Sequence, residues 1–322
     1  NCLKYERPEM PDKHRTKIIV NPAAGSGTTV RRWPHIKRQL DKLAIQYDYV
    51  FTEEVGHGIA LAAEASTQGY KYVVAVGGDG TINEVVNGLL SAPPAIQYPE
   101  PVTPIDLGII NTGTGSDFVR SLGIPRNSDR ACHHLLSRQR LKIDVGVIDW
   151  NDNGQDKRRY FVNAAGVGFD AEVAEAKKRI GRFLRGPISY FLSVGATLFG
   201  YRNRPVSIKC DEADEKIHQA LSVIIANGNY FGGGMKVAPD AELADQLFDI
   251  LTIGDIGKVE LIQAFPRVYG GTHITHPKVN IERAATITLS STERLLLQAD
   301  GEIIGEGAFR LSLLPGALNV II

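Results

Sequence analysis

Val73-Val74-Ala75-Val76-Gly77-Gly78-Asp79-Gly80-Thr81-Ile82-Asn83-Glu84-Val85 is an apolar strand that runs straight into a glycine turn carrying one carboxylate. Glycines at 77, 78 and 80 tolerate positive φ and let backbone N–H groups close on an anion, while Thr81 and Asn83 are placed to cap the helix that follows. The order reads as a nucleotide-phosphate site. An ordinary strand-to-helix turn with a capping Asp has the same composition, so the stretch needs support from the rest of the chain.

Two further stretches repeat it. Lys17-Ile18-Ile19-Val20 leads into Asn21-Pro22-Ala23-Ala24-Gly25-Ser26-Gly27, and Asp106-Leu107-Gly108-Ile109-Ile110 leads into Asn111-Thr112-Gly113-Thr114-Gly115-Ser116-Asp117-Phe118. Each small-residue turn sits at the carboxyl end of an expected parallel strand, where open α/β sheets collect ligands. Helices are expected over 29–42, 60–68, 84–90 and 129–138, alternating with the strands as in βαβ units. Past Asp144 the pattern changes to strands over 145–149, 159–163, 206–210, 221–226, 248–253, 286–290 and 295–298, with a last strand at 317–322. The expected fold is therefore α/β in two domains: an N-terminal doubly wound nucleotide-binding domain and a C-terminal β-rich sandwich.

Composition restricts the function classes. The 322 residues are 43% hydrophobic and 22% charged, enough for two cored domains and unlike a disordered chain. With 36 basic and 36 acidic residues the formal charge is zero, so no global field draws the chain to nucleic acid. Cys2, Cys132 and Cys210 are odd in number and scattered, which fits a reducing cytoplasm rather than a disulfide framework. Residues 1–8 are polar and read as a tail rather than a secretory signal. The longest apolar stretch, 188–201, falls short of the roughly 20 residues of a spanning helix, so the chain is expected to visit membranes peripherally. No internal repeat or low-complexity run is present.

The ordered series NPAAGSG, GGDGTINEVVNG and GTGSDFVRSLGIP resembles the catalytic domain of the diacylglycerol kinase family, in particular its soluble bacterial lipid kinases, related to sphingosine and ceramide kinases. Phe161-Val162-Asn163-Ala164-Ala165-Gly166-Val167-Gly168-Phe169-Asp170, Ala226-Asn227-Gly228-Asn229-Tyr230-Phe231-Gly232-Gly233-Gly234 and Ala299-Asp300-Gly301-Glu302 continue it in the family's order. The resemblance implies phosphoryl transfer from ATP to a lipid hydroxyl with Mg²⁺. It implies an ATP domain over 1–142, completed by 307–322, and a lipid domain over 143–306.

By that resemblance, the backbone of Gly77, Gly78, Asp79, Gly80 and Thr81 contacts phosphate. Asn21, Pro22, Ala23, Ala24, Gly25 and Thr52 contact the adenosine side, and Thr114, Asn83, Glu84 and Asp117 complete the nucleotide set. Asp79 would repel phosphate directly, so it reads as a ligand of Mg²⁺ or of its water. Asp117 reads as a second such group, as an acceptor contact, or as the N-cap of a helix over 118–122. Asp300 and Glu302 are the candidates for general base, pointing the same way if the chain is extended, although Asp-Gly is also a hairpin-turn signal. Glu302 as base with Asp300 positioning metal or substrate is one assignment; the reverse stays open.

A separate structural Mg²⁺ is implied at Asp245, with main-chain carbonyls of Glu242 and Leu247. There the family's glycine is replaced by Gln246, which removes a residue suited to positive φ or close carbonyl approach. Lys177, Lys178, Arg179, Arg182 and Arg185, beside an apolar segment over 188–199, read as a surface for an anionic leaflet or as a solvated helix face. Oligomeric state is open, a homodimer included. The rival readings are an NAD kinase, which shares GGDGT but carries a TPTGSTAY-type motif that this chain lacks, and a non-catalytic nucleotide or lipid sensor.

Overall fold

The computed structural model describes residues 16–91, 96–97, 101–137, 139–180, 197 and 200–322. The side chains of 177–180 and the residues of 181–196, hence the basic cluster and most of the apolar segment beside it, lie outside the described residues.

The first half runs β1 (Thr16–Val20), α1 (Ala24–Lys42), β2 (Tyr47–Phe51), α2 (His57–Thr67), β3 (Tyr72–Gly77), α3 (Asp79–Ser91), a small hairpin β4 (Ile96–Gln97) and β5 (Pro101–Val102), β6 (Asp106–Asn111), α4 (Asp117–Ser121), α5 (Ser128–His134) and β7 (Arg140–Asp152). Strands β2, β1, β3 and β6 lie side by side in that order and are parallel. The chain reverses its direction of travel across the sheet between β1 and β3, which opens a crevice at their carboxyl ends.

Alternation along each strand feeds two helical layers. Ile18, Val20, Val74 and Val76 pack with Trp33, Ile36 and Leu40 of α1 and with Ala131 and Cys132 of α5. Ile19, Val73, Ala75 and Ile109 pack on the other face with Leu61 and Ala65 of α2 and Ile82, Val85 and Leu89 of α3. Each fully buried aliphatic side chain contributes about 1.5–3 kcal/mol relative to exposure, so the two faces fix where the glycine turns emerge.

The second half runs β8 (Gln155–Phe161), β9 (Ala164–Gly168), α6 (Phe169–Ile180), β10 (Arg204–Cys210), β11 (Lys216–Ala220), β12 (Ser222–Ala226), β13 (Phe248–Ile253), α7 (Lys258–Ala264), β14 (Val279–Ala284), β15 (Thr286–Ser290), β16 (Leu296–Ala299), β17 (Glu302–Glu306) and β18 (Phe309–Ile321). An antiparallel sheet ordered β14-β13-β12-β9-β16-β17 faces a layer containing β10, β15, β18 and β7. Between them lie Val167, Ile225, Leu289, Leu297 and Leu311, with Phe161 stacked on Phe248 at 5.6 Å between ring centroids.

The final strand begins at Phe309, not at 317. Pro315 and Gly316 fall in an irregularity of its pairing with β7 rather than before its start, as befits a proline that cannot donate to a ladder. The N-terminal part of β18 pairs with β15, and Asn319 and Val320 pair in parallel with β6. One strand thus continues the parallel sheet into the sandwich.

Candidate active site

The three glycine turns meet at the carboxyl ends of β1, β3 and β6. Asn21 ties two together: its Nδ2 donates to Thr81 Oγ1 at 3.0 Å, and its Oδ1 accepts the Ala23 N–H at 3.0 Å. Gly25, Ser26 and Gly27 all take left-handed φ (58°, 56° and 81°), so the regular turns of α1 start only after them. The Thr112 carbonyl lies where a Gly25 Cβ would go. Gly78 and Gly113 sit backbone to backbone; a Cβ on Gly113 would lie 2.5 Å from Gly78 Cα. Above this bare patch stands the start of α3, whose first N–H groups have no acceptor within the helix and carry its positive dipole end. Side chains here would block access, and their absence suits a phosphate. Thr114 is exposed on the third turn, while Thr52 is buried and donates its N–H to the Val20 carbonyl at 2.9 Å.

Several sequence expectations change here. Thr81 and Asn83 lie inside α3 rather than at its cap, because the helix starts at Asp79, five residues before the expected 84. Glu84 turns to α2: its two carboxylate oxygens accept the N–H groups of Gly56 and Gly58 at 2.8 and 2.9 Å. Asp117 is the first residue of α4 and does not cap it; Asp79 lies across that helix start, accepting the Asp117 and Phe118 N–H groups at 3.5 and 3.3 Å.

The Asp117 carboxylate reaches across to the other half of the chain, where it accepts the N–H groups of Gly233 and Gly234, each at 2.7 Å. Burial pushes its carboxyl up to about 6, the two glycine amides pull against that, and Asp79 adds to the rise. Gly234 has φ 99°, and Arg120 fills the space a Cβ would take there, its guanidinium 5.2 Å from the Tyr230 ring centre.

The expected extended geometry of Asp300 and Glu302 is replaced by a two-residue hairpin between β16 and β17. Asp300 and Gly301 both have positive φ, 48° and 85°, and Ala299 pairs with Glu302. The Asp300 carboxylate accepts four hydrogen bonds: Val162, Asn163 and Ala164 N–H at 3.0, 3.0 and 3.1 Å, and Asn83 Nδ2 at 2.8 Å. Burial raises its pKa and these donors oppose the rise.

Asn83 also accepts from Arg159 Nη2 at 2.9 Å, and Arg159 pairs with Glu302 Oε2 at 3.2 Å. Asn87, one turn on, holds both the carbonyl and the N–H of Tyr160, at 2.9 Å each. Glu302 thereby comes over the phosphate turn: a Cβ on Gly80 would lie 3.6 Å from its Oε1. Its side chain is 37% exposed, open enough to meet a substrate.

The hairpin is braced from behind. Gln298 Oε1 accepts the Gly301 N–H at 3.0 Å, while its Nε2 donates to Asp170 at 2.9 Å. Asp170 also accepts from Ser222 Oγ at 2.5 Å, and burial pushes its carboxyl up to about 6.

The sequence motifs pointed at Asp300 and Glu302 but missed Arg159, Asn87 and Gln298. Asn87 had a signal, since it follows Asn83 by four residues on one helix face. Arg159 is one of three consecutive cations, Lys157 to Arg159, and nothing in the sequence singles it out.

Comparison with known proteins bears on the family and the fold. Residues 15–148 match the diacylglycerol kinase catalytic domain, and residues 163–322 match the YegS C-terminal NAD kinase beta sandwich-like domain. A diacylglycerol kinase of Staphylococcus saprophyticus is 30% identical over 299 residues, covering 91% of this chain and 90% of that protein. The chain belongs to the diacylglycerol kinase catalytic-domain family. A diacylglycerol kinase of Staphylococcus carnosus is likewise 30% identical, over 297 residues, 91% of this chain and 90% of its own. A crystal structure from Bacillus anthracis str. Sterne superimposes with a TM-score of 0.74 at 27% identity, covering 96% of this chain and 97% of that one. Membership makes the chain a lipid-kinase-type phosphotransferase.

The loop at Asp245, where the resemblance implies a structural cation, is arranged differently. Both Asp245 oxygens are engaged, Oδ1 by the Leu247 N–H at 3.1 Å and Oδ2 by the Arg283 guanidinium. Glu242 is exposed, and Gln246 takes φ 66°. Among the described residues no group of three or more His, Cys, Asp or Glu side chains converges on a metal position. The one carboxylate of the implied set is thus held by protein groups on both oxygens.

Proposed function

We propose that the chain transfers the γ-phosphate of ATP to the hydroxyl of diacylglycerol or a related lipid. The observation that carries this reading is the docking of the Asp300–Glu302 hairpin on the first turn of α3, which sets a carboxylate beside a turn suited to phosphate. ATP is the phosphoryl donor on this reading, and a bound Mg²⁺ would supply neutralisation of its phosphate charge.

The protein's part is to bind, orient and accept a proton. The turns at Asn21–Gly25 and Gly77–Thr81, with Thr114, receive the nucleotide. Asp79 and Asp117 stand at the mouth of α4, where Asp79 would hold Mg²⁺, directly or through water. Glu302 serves as general base toward the lipid hydroxyl. Asp300 holds the hairpin, since a carboxylate occupied by four donors has little accepting capacity left. Arg159 orients Glu302 from the side, and Glu84 acts through the start of α2 rather than by touching nucleotide.

The lipid is met at a membrane surface. Among the described residues no helix is long and apolar enough to cross a bilayer, so the reading requires peripheral contact. Incubation with γ-³²P-ATP, Mg²⁺ and a panel of lipids in mixed micelles, with NAD alongside, tests the assignment. Label in a lipid names the acceptor. Label in NADP would replace the reading by an NAD kinase, and ATP binding without any labelled product would favour a sensor.

A further inference from the structure

Arg283 lies on β14 directly opposite Asp249 of β13. From there its Nη2 pairs with Asp245 Oδ2, while its Nε stands 3.7 Å from Asp249 Oδ2, beyond hydrogen-bond reach, and that buried oxygen has no hydrogen-bond partner. Asp144 holds the loop from the other side. The Gln246 N–H donates to Asp144 Oδ2 at 2.7 Å, Asp144 Oδ1 accepts the Gly316 N–H at 2.7 Å, and the Asp144 N–H donates to the Leu243 carbonyl at 2.7 Å. Asp144, on β7, thereby ties the loop to β18, the strand that continues the parallel sheet into the sandwich. A divalent cation on Asp245 would have to displace a fixed positive charge from the same oxygen, and the octahedral shell that Mg²⁺ demands would compete with the Leu247 N–H for the other.

We propose that Arg283 does in this chain what the family's loop cation does elsewhere: it neutralises Asp245 and clamps the loop to the sandwich, so the fold needs no metal there. Arg is suited to this task, being always charged and able to face two carboxylates at once from its planar fork. Gln246 fits the same account. A loop closed by side chains no longer needs a glycine to let carbonyls crowd around an ion, and the left-handed position is left to a residue that tolerates it at a cost. The proposal is independent of the catalytic reading.

Thermal unfolding of the full chain without nucleotide, in EDTA and in millimolar MgCl₂, tests it. The unsubstituted chain should melt at the same temperature in both, within about 1 °C. Arg283→Ala should melt lower in EDTA by roughly 2–4 °C, the shift that an about five-fold loss in folding equilibrium gives for a domain of 150–250 residues. Arg283→Ala with Gln246→Gly should regain part of that in MgCl₂, and adding Asp245→Asn should abolish the gain. Arg283→Lys, which keeps a cation, guards against a variant that fails to fold and should remain insensitive to the metal. Counting bound Mn²⁺ by its paramagnetic signal should give the same number for the unsubstituted chain and for Asp245→Asn. An unsubstituted chain that gains stability from Mg²⁺ only while Asp245 is intact would overturn the proposal, as would a double variant with no response to the metal.

Discussion

Two tight turns in the sandwich place a non-glycine residue at positive φ beside a carboxylate, and they are held by opposite means. At Asp300 (φ 48°) four donors from β9, its approach and α3 converge on one carboxylate. At Gln246 (φ 66°) the neighbouring Asp245 is held by a guanidinium that is itself 46% exposed. Backbone amides are part of the sheet and cannot turn away, so the first turn keeps its shape whatever binds nearby. A surface guanidinium holds charge but little geometry. The fixed donors stand where the proposed base Glu302 is held, and a side chain serves where only a loop is closed.

The comparison breaks most visibly at Asp300. Asp300→Ala leaves three backbone N–H groups and the Asn83 amide without their acceptor, each an unmet group worth about 1–3 kcal/mol. Not all of this is felt if water enters, and the expected loss is about 3–5 kcal/mol in urea unfolding at neutral pH. Asp245→Ala, its counterpart on the exposed side, should cost about 1 kcal/mol or less.

A smaller effect comes from Asp117, whose carboxyl is held up at about 6 by burial. An acid with a raised folded pKa binds its proton more tightly in the fold, so its contribution is fully present near pH 4 and is lost as the pH rises through 6. Asp117→Asn does not titrate. Between pH 5 and pH 7 the destabilisation caused by that substitution should therefore shrink by about 1 kcal/mol. Equal destabilisation at the two pH values would show that the carboxyl titrates normally. Smallest of all, Gln246→Gly relieves a left-handed side chain and should raise stability by about 0.5–1 kcal/mol, whereas replacing Gly301 (φ 85°) by Ala should lower it.

Three strands of the parallel sheet, β1, β3 and β6, were legible because they are short apolar runs ended by glycine-rich turns, whereas β2, half polar and half exposed, was not. The first three helices were found, with starts misplaced where the cause is not local. The α3 helix begins at Asp79 because the strand hands over directly, with Gly78 beside Gly113 of the next turn, a contact 35 residues away in sequence. In the second half β9, β11, β14 and β17 went unread: Lys216–Ala220 and Val279–Ala284 are half polar, and their strand state comes from partners β10 and β13.

The site divides in the same way. Motif residues on the turns are brought together, but Arg159, Gln298 and Arg283 act through pairs separated by 143, 128 and 38 positions. Such pairs exist only once the sheets have packed.

The claim at the centre of this account is that Glu302 accepts the proton while Asp300 and Arg159 only hold it in place. It is tested most directly by the rate of phosphate transfer from ATP to diacylglycerol in micelles by Glu302→Gln, with ATP affinity measured on the same sample. General base catalysis is worth about 10²–10⁴-fold, so transfer should fall by at least about 10²-fold with ATP affinity and melting temperature nearly unchanged. Transfer within a few-fold of the unsubstituted chain would contradict the account and hand the proton to another group.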